Sequence, residues 1–471
     1  MLTDLNKSSL NFKKFSGFDV AIIGAGAAGI TLAKKLSYYG KKVALIEAGG
    51  KEYDEESQKI YSAKKVGDPY FELDTARLRY FGGSTNHWGG MCRTFETEDF
   101  NREYLGEKYI WPISYNELDR FRVEACNILE ISSYFNDKSL ENSSIESIDF
   151  KFSSPVRFGR KYFNDLASNS LVHIFLNSNL VDVTNVDSKI TAVNVKSYNK
   201  TQASIHANNF VFSMGGIENS RYLLWLQKVY GNKFISSSSP IGRYWMEHPH
   251  FTLGKALIKT SSRATSYYAL SQEAQVNNRI MNCGLRVEHM THKDTEILIK
   301  NLLCNAPKFV EKIISQMNEN LICGVTIRAA WEQAPDKRNF IQLDNEKDQF
   351  GIPKPILNWK KFKLDRETLV KSLSEFNNWL LESDTGRLQL MDWILNEKDY
   401  PLDDELAGHH HMGGTRMHKN KELGVVDSNC KVHGSKNLYI AGSSIFTTSG
   451  HNNPTLPIVQ FSLRLAEHLS L

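Results

Sequence analysis

The chain has 471 residues, of which 41% are hydrophobic and 23% charged, a composition typical of a globular protein with more than one domain. Its formal net charge of +4 is spread over short lysine pairs, which excludes the basic block of a nucleic-acid-binding protein. No run approaches the roughly 18 apolar residues that span a bilayer, and the opening residues lack the apolar core of a signal peptide. We therefore expect a cytoplasmic protein with no transmembrane segment.

The first predicted unit is a strand, a glycine-rich turn, a helix and a second strand. An apolar strand leads into the turn Gly24-Ala25-Gly26-Ala27-Ala28-Gly29, and a second strand ends at Glu47. Gly24 permits the tight turn, Gly26 lets the backbone approach a pyrophosphate, and Gly29 lets the helix pack closely on the strand. The carboxylate of Glu47 can accept hydrogen bonds from ribose hydroxyls. The unit therefore predicts a dinucleotide site.

A second glycine-rich stretch reads GGSTNHWGG, with four glycines around Asn86, His87 and Trp88. This pattern indicates a backbone loop pressed against a flat ligand, with one polar and one aromatic side chain held in place. The alternative is a surface loop.

Further along, FVFSMGGIENSRYLL predicts a strand at 210–212 that breaks at Gly215-Gly216 into a helix beginning near Ile217. The segment RNFIQLDNEKDQFGIPKPILNW, residues 338–359, predicts a strand, a turn and a strand. The stretch 260–320 carries no motif, and we expect its His289, His292 and Cys304 to be structural.

The tail contains the run GHHHMGGTRM. A metal site on His409, His410 and His411 is geometrically poor, because adjacent side chains point in different directions and no Asp, Glu or Cys stands at ligand spacing among them. We therefore expect no metal, which leaves a structural loop or a catalytic role.

A strand predicted at 438–441 comes directly before Gly442-Ser443, which resembles the C-terminal flavin-contacting strand of FAD enzymes. Pro454 and Pro457 then suit the opening turn of a last helix. The positive end of that helix would favour the N1/C2 carbonyl end of a reduced, anionic flavin.

Together these motifs resemble the glucose-methanol-choline (GMC) family of FAD-dependent oxidoreductases, within its branch of sugar dehydrogenases and pyranose-oxidase-like enzymes. The stretches RLRYFGGSTNHWGGMCR, WPISYNEL, IGRYWMEHPH and EQAPDKRNFIQL also carry the resemblance. It implies an α/β fold, α+β overall, in which a Rossmann-like FAD-binding domain is interleaved with a substrate-binding domain built on an antiparallel sheet with helices. We expect the first domain from residues 15–110, 165–255 and 405–471, and the second from 111–164 and 256–404.

The resemblance implies FAD as the cofactor. It places Trp88 and its neighbours beside the isoalloxazine ring and the backbone near Val181 at the adenine. Some pyranose-oxidase-like members bond a histidine at the position of His87 covalently to the flavin, and we expect a non-covalent cofactor with this link as the alternative. The expected cofactor-binding residues are Gly24, Gly26, Ala27, Ala28, Gly29, Glu47, Ala48, Gly83, Ser84, Asn86, His87, Trp88, Gly89, Val181, Gly215, Gly442, Ser443, Asn453, Pro454 and Thr455.

The resemblance also places the catalytic pair at His410 and Asn453, with His411 and His451 kept as alternatives. Oxidation of an alcohol by hydride transfer to flavin N5 requires removal of the hydroxyl proton, and a neutral histidine of pKa about 6.5 is a suitable base. The amide of Asn453 can donate to the same oxygen and stabilise its developing charge.

The expected function is FAD-dependent oxidation of a hydroxyl of a sugar, glycoside or other alcohol to a carbonyl, by a dehydrogenase rather than an oxidase. The expected partners are a small-molecule substrate and an electron acceptor that the motifs do not identify, with no nucleic acid. Two other functions stay open: a non-redox flavin-containing lyase, and a flavin-binding regulatory protein.

Overall fold

The computed structural model describes residues 1–7, 12–154, 156–259, 264–290, 292–303, 306, 308–310, 312, 322–396, 399–401 and 408–471. Cys304 and the expected domain boundary at 405 lie outside these ranges. The strands are β1 (Leu2–Asp4), β2 (Phe12–Ile23), β3 (Val43–Ile46), β4 (Lys64–Gly67), β5 (Met91–Cys92), β6 (Lys138–Ser139), β7 (Ile145–Ser147), β8 (Lys151–Phe152), β9 (Val172–Leu176), β10 (Asn179–Val186), β11 (Lys189–Lys196), β12 (Gln202–Phe212), β13 (His250–Lys259), β14 (Ser266–Leu270), β15 (Cys283–His289), β16 (Ile322–Trp331), β17 (Phe340–Lys347), β18 (Pro353–Trp359), β19 (Gly386–Leu390) and β20 (Leu438–Ile440).

The helices are α1 (Ala27–Tyr38), α2 (Glu55–Lys59), α3 (Tyr115–Asp119), α4 (Arg122–Leu129), α5 (Phe158–Ser168), α6 (Gly215–Tyr230), α7 (Gln272–Asn278), α8 (His292–Leu303), α9 (Lys363–Glu382), α10 (Asp392–Leu395) and α11 (Thr455–Ser470). None of the helices in the described ranges combines the length and apolar character needed to cross a bilayer.

The first sheet has the strand order β1-β9-β3-β2-β12-β11-β10, with β20 pairing the end of β12. Strands β1, β9, β3, β2 and β12 pair in parallel, each with the next in that order. Strands β11 and β10 add an antiparallel edge beside β12. Residues 43–46 and the end of β2 are fully or almost fully buried, as expected of parallel strands covered on both faces. This confirms the Rossmann-like part of the expected fold.

Two predicted elements begin or end at slightly different residues. Helix α6 starts at Gly215, two residues before the expected Ile217, because Gly215 adopts a φ of +91° and turns the chain directly out of β12. Strand β20 ends at Ile440 and leaves Ala441 as the connection to Gly442.

The second sheet is antiparallel, with the order β19-β13-β16-β15-β14-β7-β6. One face packs on α9, where Leu369, Leu373, Phe376 and Leu380 join the buried side chains of β13 to β16 in a separate core. This confirms the expected second unit, an antiparallel sheet with helices.

The predicted hairpin at 338–359 is present as β17 and β18, but it does not join the second sheet. It forms a three-stranded sheet with β4, whose residues 64–67 pair in parallel with 356–359. The hairpin therefore belongs to a small sheet of its own, separate from the antiparallel sheet. A small core around Trp245 and Trp359 fixes the hairpin against α6 instead.

The expected domain division stays a prediction, but its segment 111–164 is shared between two cores. Phe121, Cys126 and Leu129 around α4 pack into the core of the first sheet, whereas β6 and β7 extend the second sheet. Both cores meet around one cavity, and that meeting positions the candidate site.

Candidate active site

A cavity of about 790 Å³ lies between the two sheets. On one side it is lined by the turns that follow β2, β12 and β20, at the carboxyl ends of the parallel strands, where open α/β sheets bind ligands. On the other side it is lined by residues of β13 to β16. Its volume falls within the range of about 300–1,000 Å³ typical of small-molecule and cofactor sites.

The glycine turn after β2 has the geometry that the sequence predicts. A Cβ at Gly24 would lie 2.5 Å from the carbonyl oxygen of Ser213, and one at Gly29 would lie 1.9 Å from the carbonyl oxygen of Gly24. Gly26 differs, because a Cβ there would meet no atom within 4 Å and would enter the cavity. Two of the glycines therefore serve packing within the protein, and Gly26 leaves room for a ligand.

Glu47 closes this end of the cavity. It is 6% exposed, and its two carboxylate oxygens accept hydrogen bonds from the backbone N–H groups of Ala25 and Gly49, each at 2.9 Å. Each oxygen keeps a further lone pair that can accept from a ribose hydroxyl. Helix α1 has no side-chain cap, so its first N–H groups stay available for an anion.

The loop GGSTNHWGG lines the cavity through most of its residues. The indole N–H of Trp88 donates to the carbonyl of Val156 at 3.0 Å, which fixes the ring. His87 is exposed within the cavity, and its pKa is lowered by partial burial and by the charge of Arg157. The amide of Asn86 instead donates to the carbonyl of Phe81 at 2.9 Å and holds the loop closed on itself.

Most of the expected cofactor-binding residues line this one cavity. Gly29, Ala48, Asn86 and Val181 do not belong to the lining. The residues that do are Gly24, Gly26, Ala27, Ala28, Glu47, Gly83, Ser84, His87, Trp88, Gly89, Gly215, Gly442, Ser443, Asn453, Pro454 and Thr455.

The structure brings His410 and Asn453 together. The amide Nδ2 of Asn453 lies 3.5 Å from Nε2 of His410. The other ring nitrogen of His410, Nδ1, lies 2.9 Å from Nδ1 of His248, which is a hydrogen-bonding distance. The side chains of His410 and Asn453 both line the cavity. Nε2 is the ring nitrogen of His410 that faces Asn453.

The carboxylate of Glu247 fixes the backbone positions of His248 and His410. It is 2% exposed, and its Oε1 accepts hydrogen bonds from the backbone N–H groups of His248 at 2.9 Å and His410 at 2.6 Å. Its Oε2 accepts from the hydroxyl of Tyr70. One buried carboxylate therefore links the backbones of two segments that stand more than 150 residues apart in the chain.

Burial is the main cause that holds the pKa of His410 well below its ordinary value of 6.5, and the neighbouring histidines lower it further. Burial likewise lowers the pKa of His248 to about 3. Both rings are therefore neutral near pH 7, the state in which a histidine can accept a proton.

The two alternative histidines also line the cavity. The ring of His411 packs 5.7 Å from that of Trp245, and burial holds its pKa well below 6.5. Nε2 of His451 lies 3.6 Å from a carboxylate oxygen of Glu96, and burial lowers the pKa of His451 to about 4. Among the described residues, no group of three His, Cys, Asp or Glu side chains is arranged to hold a metal ion.

Sequence reasoning assigned no role to Glu247, His248 or Tyr70, nor to Arg286, which also lines the cavity. The motif IGRYWMEHPH contains the first two, but their importance depends on contacts with the distant tail, which spacing along the chain does not encode. Arg286 belongs to a strand of the second sheet for which no motif was available.

Comparisons with known proteins agree with this architecture. The family model described as GMC oxidoreductase matches residues 335–462. The chain is similar to the fructose dehydrogenase large subunit of Gluconobacter japonicus, at 22% identity over 95% of this chain and 97% of that one. It is also similar to 2-methyl-1,2-propanediol dehydrogenase of Mycolicibacterium austroafricanum, at 23% identity over 96% and 95%.

Solved structures show the same fold at low sequence identity. Pyridoxine 4-oxidase from Mesorbium loti aligns with a TM-score of 0.61 and 14% identity over 96% of this chain and 99% of that one. Formate oxidase aligns with a TM-score of 0.56 and 15% identity over 98% and 99%. The family model over residues 335–462, the two relatives and the shared fold agree in making this chain similar to GMC oxidoreductases along most of its length.

Proposed function

We propose that this protein oxidises a hydroxyl group of a sugar, glycoside or other alcohol to a carbonyl with FAD as the cofactor, and that His410 is the catalytic base. The observation that carries the proposal is the pair formed by Nε2 of His410 and Nδ2 of Asn453, 3.5 Å apart, in a cavity that also contains the dinucleotide turn. The two relatives are named as dehydrogenases of fructose and of 2-methyl-1,2-propanediol, which supports a hydroxyl-bearing substrate.

The residues around the cavity fit FAD. Added Cβ atoms at Gly26, Gly89, Gly215 and Gly442 would each meet no protein atom within 4 Å, and all four glycines line the cavity. They therefore form a cradle that a flat, elongated ligand can approach closely. The N-termini of α1 and α11 and the carboxylate of Glu47 suit a pyrophosphate, a flavin carbonyl and a ribose, respectively.

When bound, FAD would supply the two-electron acceptor for the substrate's hydride, a chemistry that no side chain offers. The chain's own task is to remove the hydroxyl proton. A neutral histidine carries one ring proton, and a proton on Nδ1 of His410 would be donated to Nδ1 of His248. This tautomer leaves Nε2 of His410 unprotonated beside Asn453, ready to accept the substrate's proton.

Asn453 and Glu247 orient the reaction. The amide N–H of Asn453 donates to the substrate oxygen and stabilises the negative charge that develops as the proton leaves. Glu247 fixes the backbone of His410, so the imidazole is already oriented toward the substrate's hydroxyl. This lowers the entropic cost of bringing the base and the hydroxyl together. We also propose an acceptor other than oxygen, because both relatives are named dehydrogenases, although the structural neighbours include oxidases.

The decisive experiment is an anaerobic titration of the purified, FAD-loaded protein with a panel of sugars, glycosides and simple alcohols, followed by visible absorbance. Loss of the oxidised flavin band with one class of substrate is the expected result. Admission of air then distinguishes an oxidase, which recovers its colour at once, from a dehydrogenase. Flavin that stays oxidised with every hydroxyl compound would contradict the proposal.

A further inference from the structure

The wall of the cavity opposite the dinucleotide turn is one face of the second sheet. On β15, Leu285 and Val287 are buried in the core, whereas Gly284, Arg286 and Glu288 lie on the other, half-buried face. Residues of this face line the cavity: His250, Tyr267, Gly284, Arg286 and Ala330. Side chains on this face therefore decide which substrates fit.

One end of this wall carries small residues, and the other end carries two arginines. Gly284 pairs with Ala330 across β15 and β16, and a Cβ at Gly284 would come within 3.6 Å of the ring of His451. The next pair on the same face is Arg286 opposite Arg328. Because the strand rises by about 3.4 Å per residue, the arginine pair stands about 7 Å along the strand from the small residues beside the reacting end.

The arginine pair carries an excess positive charge. Both guanidinium groups contact the single carboxylate of Glu288, Arg328 at 3.1 Å. The Nε–H groups of both arginines have no hydrogen-bond partner among the described residues. Like charges directly opposite on neighbouring strands destabilise a sheet, so sheet stability does not account for the pair.

Nothing else in the described lining neutralises this charge. Glu47 accepts two backbone hydrogen bonds at the far end of the cavity, and Arg77 is paired with Glu218 at 2.7 Å. Two titratable groups of the wall face the arginines: Tyr267, whose ring lies 6.0 Å from the guanidinium of Arg286 and whose pKa is raised by burial, and His250, whose pKa is lowered to about 4, mainly by burial and further by the two arginines. His250 is therefore neutral at pH 7, and the two arginines with the one carboxylate of Glu288 leave a net positive charge, of which Arg286 is the member that lines the cavity.

We propose that Arg286, supported by Arg328, binds an anionic group of the substrate at the end remote from the reacting hydroxyl. The substrate class is then a hydroxyl-bearing anion, either a sugar acid with a carboxylate or a sugar phosphate. The fork of N–H donors on arginine matches both groups. This inference rests on the proposed function, because it names the substrate class of the same site.

The test is isothermal titration calorimetry of the FAD-loaded protein with D-gluconate, D-glucose 6-phosphate and D-glucose, which share a carbon skeleton and differ in charge. We expect at least one anion to bind the wild type about tenfold or more tightly than glucose, since a charge-assisted hydrogen bond contributes a factor of about 10 to 100. Which of the two anions binds more tightly identifies a carboxylate or a phosphate as the ligand.

Arg286→Gln should remove this preference, with the affinity for the anion falling about 10- to 100-fold and that for glucose unchanged. Arg286→Lys, which keeps the charge, should restore part of it. The matched control is Arg338→Gln, because Arg338 is an exposed arginine that pairs with Asp336 and does not line the cavity. It should bind the anion as the wild type does.

Equal affinities of the wild type for all three compounds, or equal losses in Arg286→Gln and Arg338→Gln, would overturn the proposal. Anaerobic reduction of the flavin by the same compounds separates this result from the proposed function. Anion preference without reduction by any hydroxyl compound would contradict the oxidation and leave the anion site intact. Reduction by neutral sugars with no anion preference would do the reverse.

Discussion

The dinucleotide end of the cavity and its reacting end are built in different ways. The turn from Gly24 to Gly29 and the carboxylate of Glu47 come from one short stretch of chain, and Glu47 makes its hydrogen bonds within that stretch, to Ala25 and Gly49. The reacting end combines His248 with His410 and Asn453, which belong to distant segments. A contiguous unit can be recognised from its spacing, whereas an assembled unit depends on the whole fold.

The reacting end can be broken without disturbing the dinucleotide end. His410→Ala should lower kcat by about 10²- to 10⁴-fold, because it removes the general base. Titration of the apoprotein with FAD should give the same dissociation constant as for the wild type. Full activity in this variant would indicate that His411 or His451 is the base instead. His411→Ala is the matched control and should keep its activity.

The dinucleotide end can be broken in the same selective way. Gly29→Ala should destabilise the apoprotein by about 3 kcal/mol, the upper end for overpacking, since its Cβ would lie 1.9 Å from a backbone oxygen. Gly26→Ala should leave the free energy of unfolding nearly unchanged and weaken FAD binding, because its Cβ meets only open cavity. Urea denaturation of the apoprotein and flavin fluorescence measure the two effects. Equal stability of the two variants would show that the turn packs differently.

The link between the two segments of the reacting end can be weakened at Glu247. Glu247→Gln keeps the shape but replaces a charged acceptor of two backbone N–H groups by a neutral one, and a charge-assisted hydrogen bond is worth about 1.5–3 kcal/mol. We expect kcat to fall about tenfold with little change in KM, because positioning of His410 is impaired while the substrate's contacts remain. A change confined to KM would indicate that Glu247 acts on substrate binding.

The smallest expected effect is that of pH. A histidine base is active when neutral, so a pKa held well below 6.5 keeps His410 active as the pH falls through 6.5. The value of kcat should therefore change by less than about twofold between pH 5.5 and 8, where an ordinary histidine of pKa about 6.5 would lose most of its activity at the acidic end. A loss of about tenfold between pH 8 and 5.5 would show that the base titrates normally in the loaded enzyme.

The sequence predicted the elements whose signals are local. The glycine turn, strand 43–46 and the hairpin strands were found because apolar runs and glycines mark them directly. The partner of the hairpin was missed because β4 reads KKVG, a mostly exposed strand without an apolar pattern. Asn86 shows the opposite case, since its glycine-rich setting suggested a ligand contact and its amide instead closes its own loop.

The pairing of the first sheet has a consequence for how the chain folds during synthesis. Strand β2 finds its partner β12 only after residues 202–212 have been made, and β12 is completed by β20 near the end of the chain. Contacts so distant in sequence carry a large loop-closure cost and form slowly. Closure of this sheet therefore waits until residues 202–212 and 438–440 have been synthesised, which makes it a late step in folding.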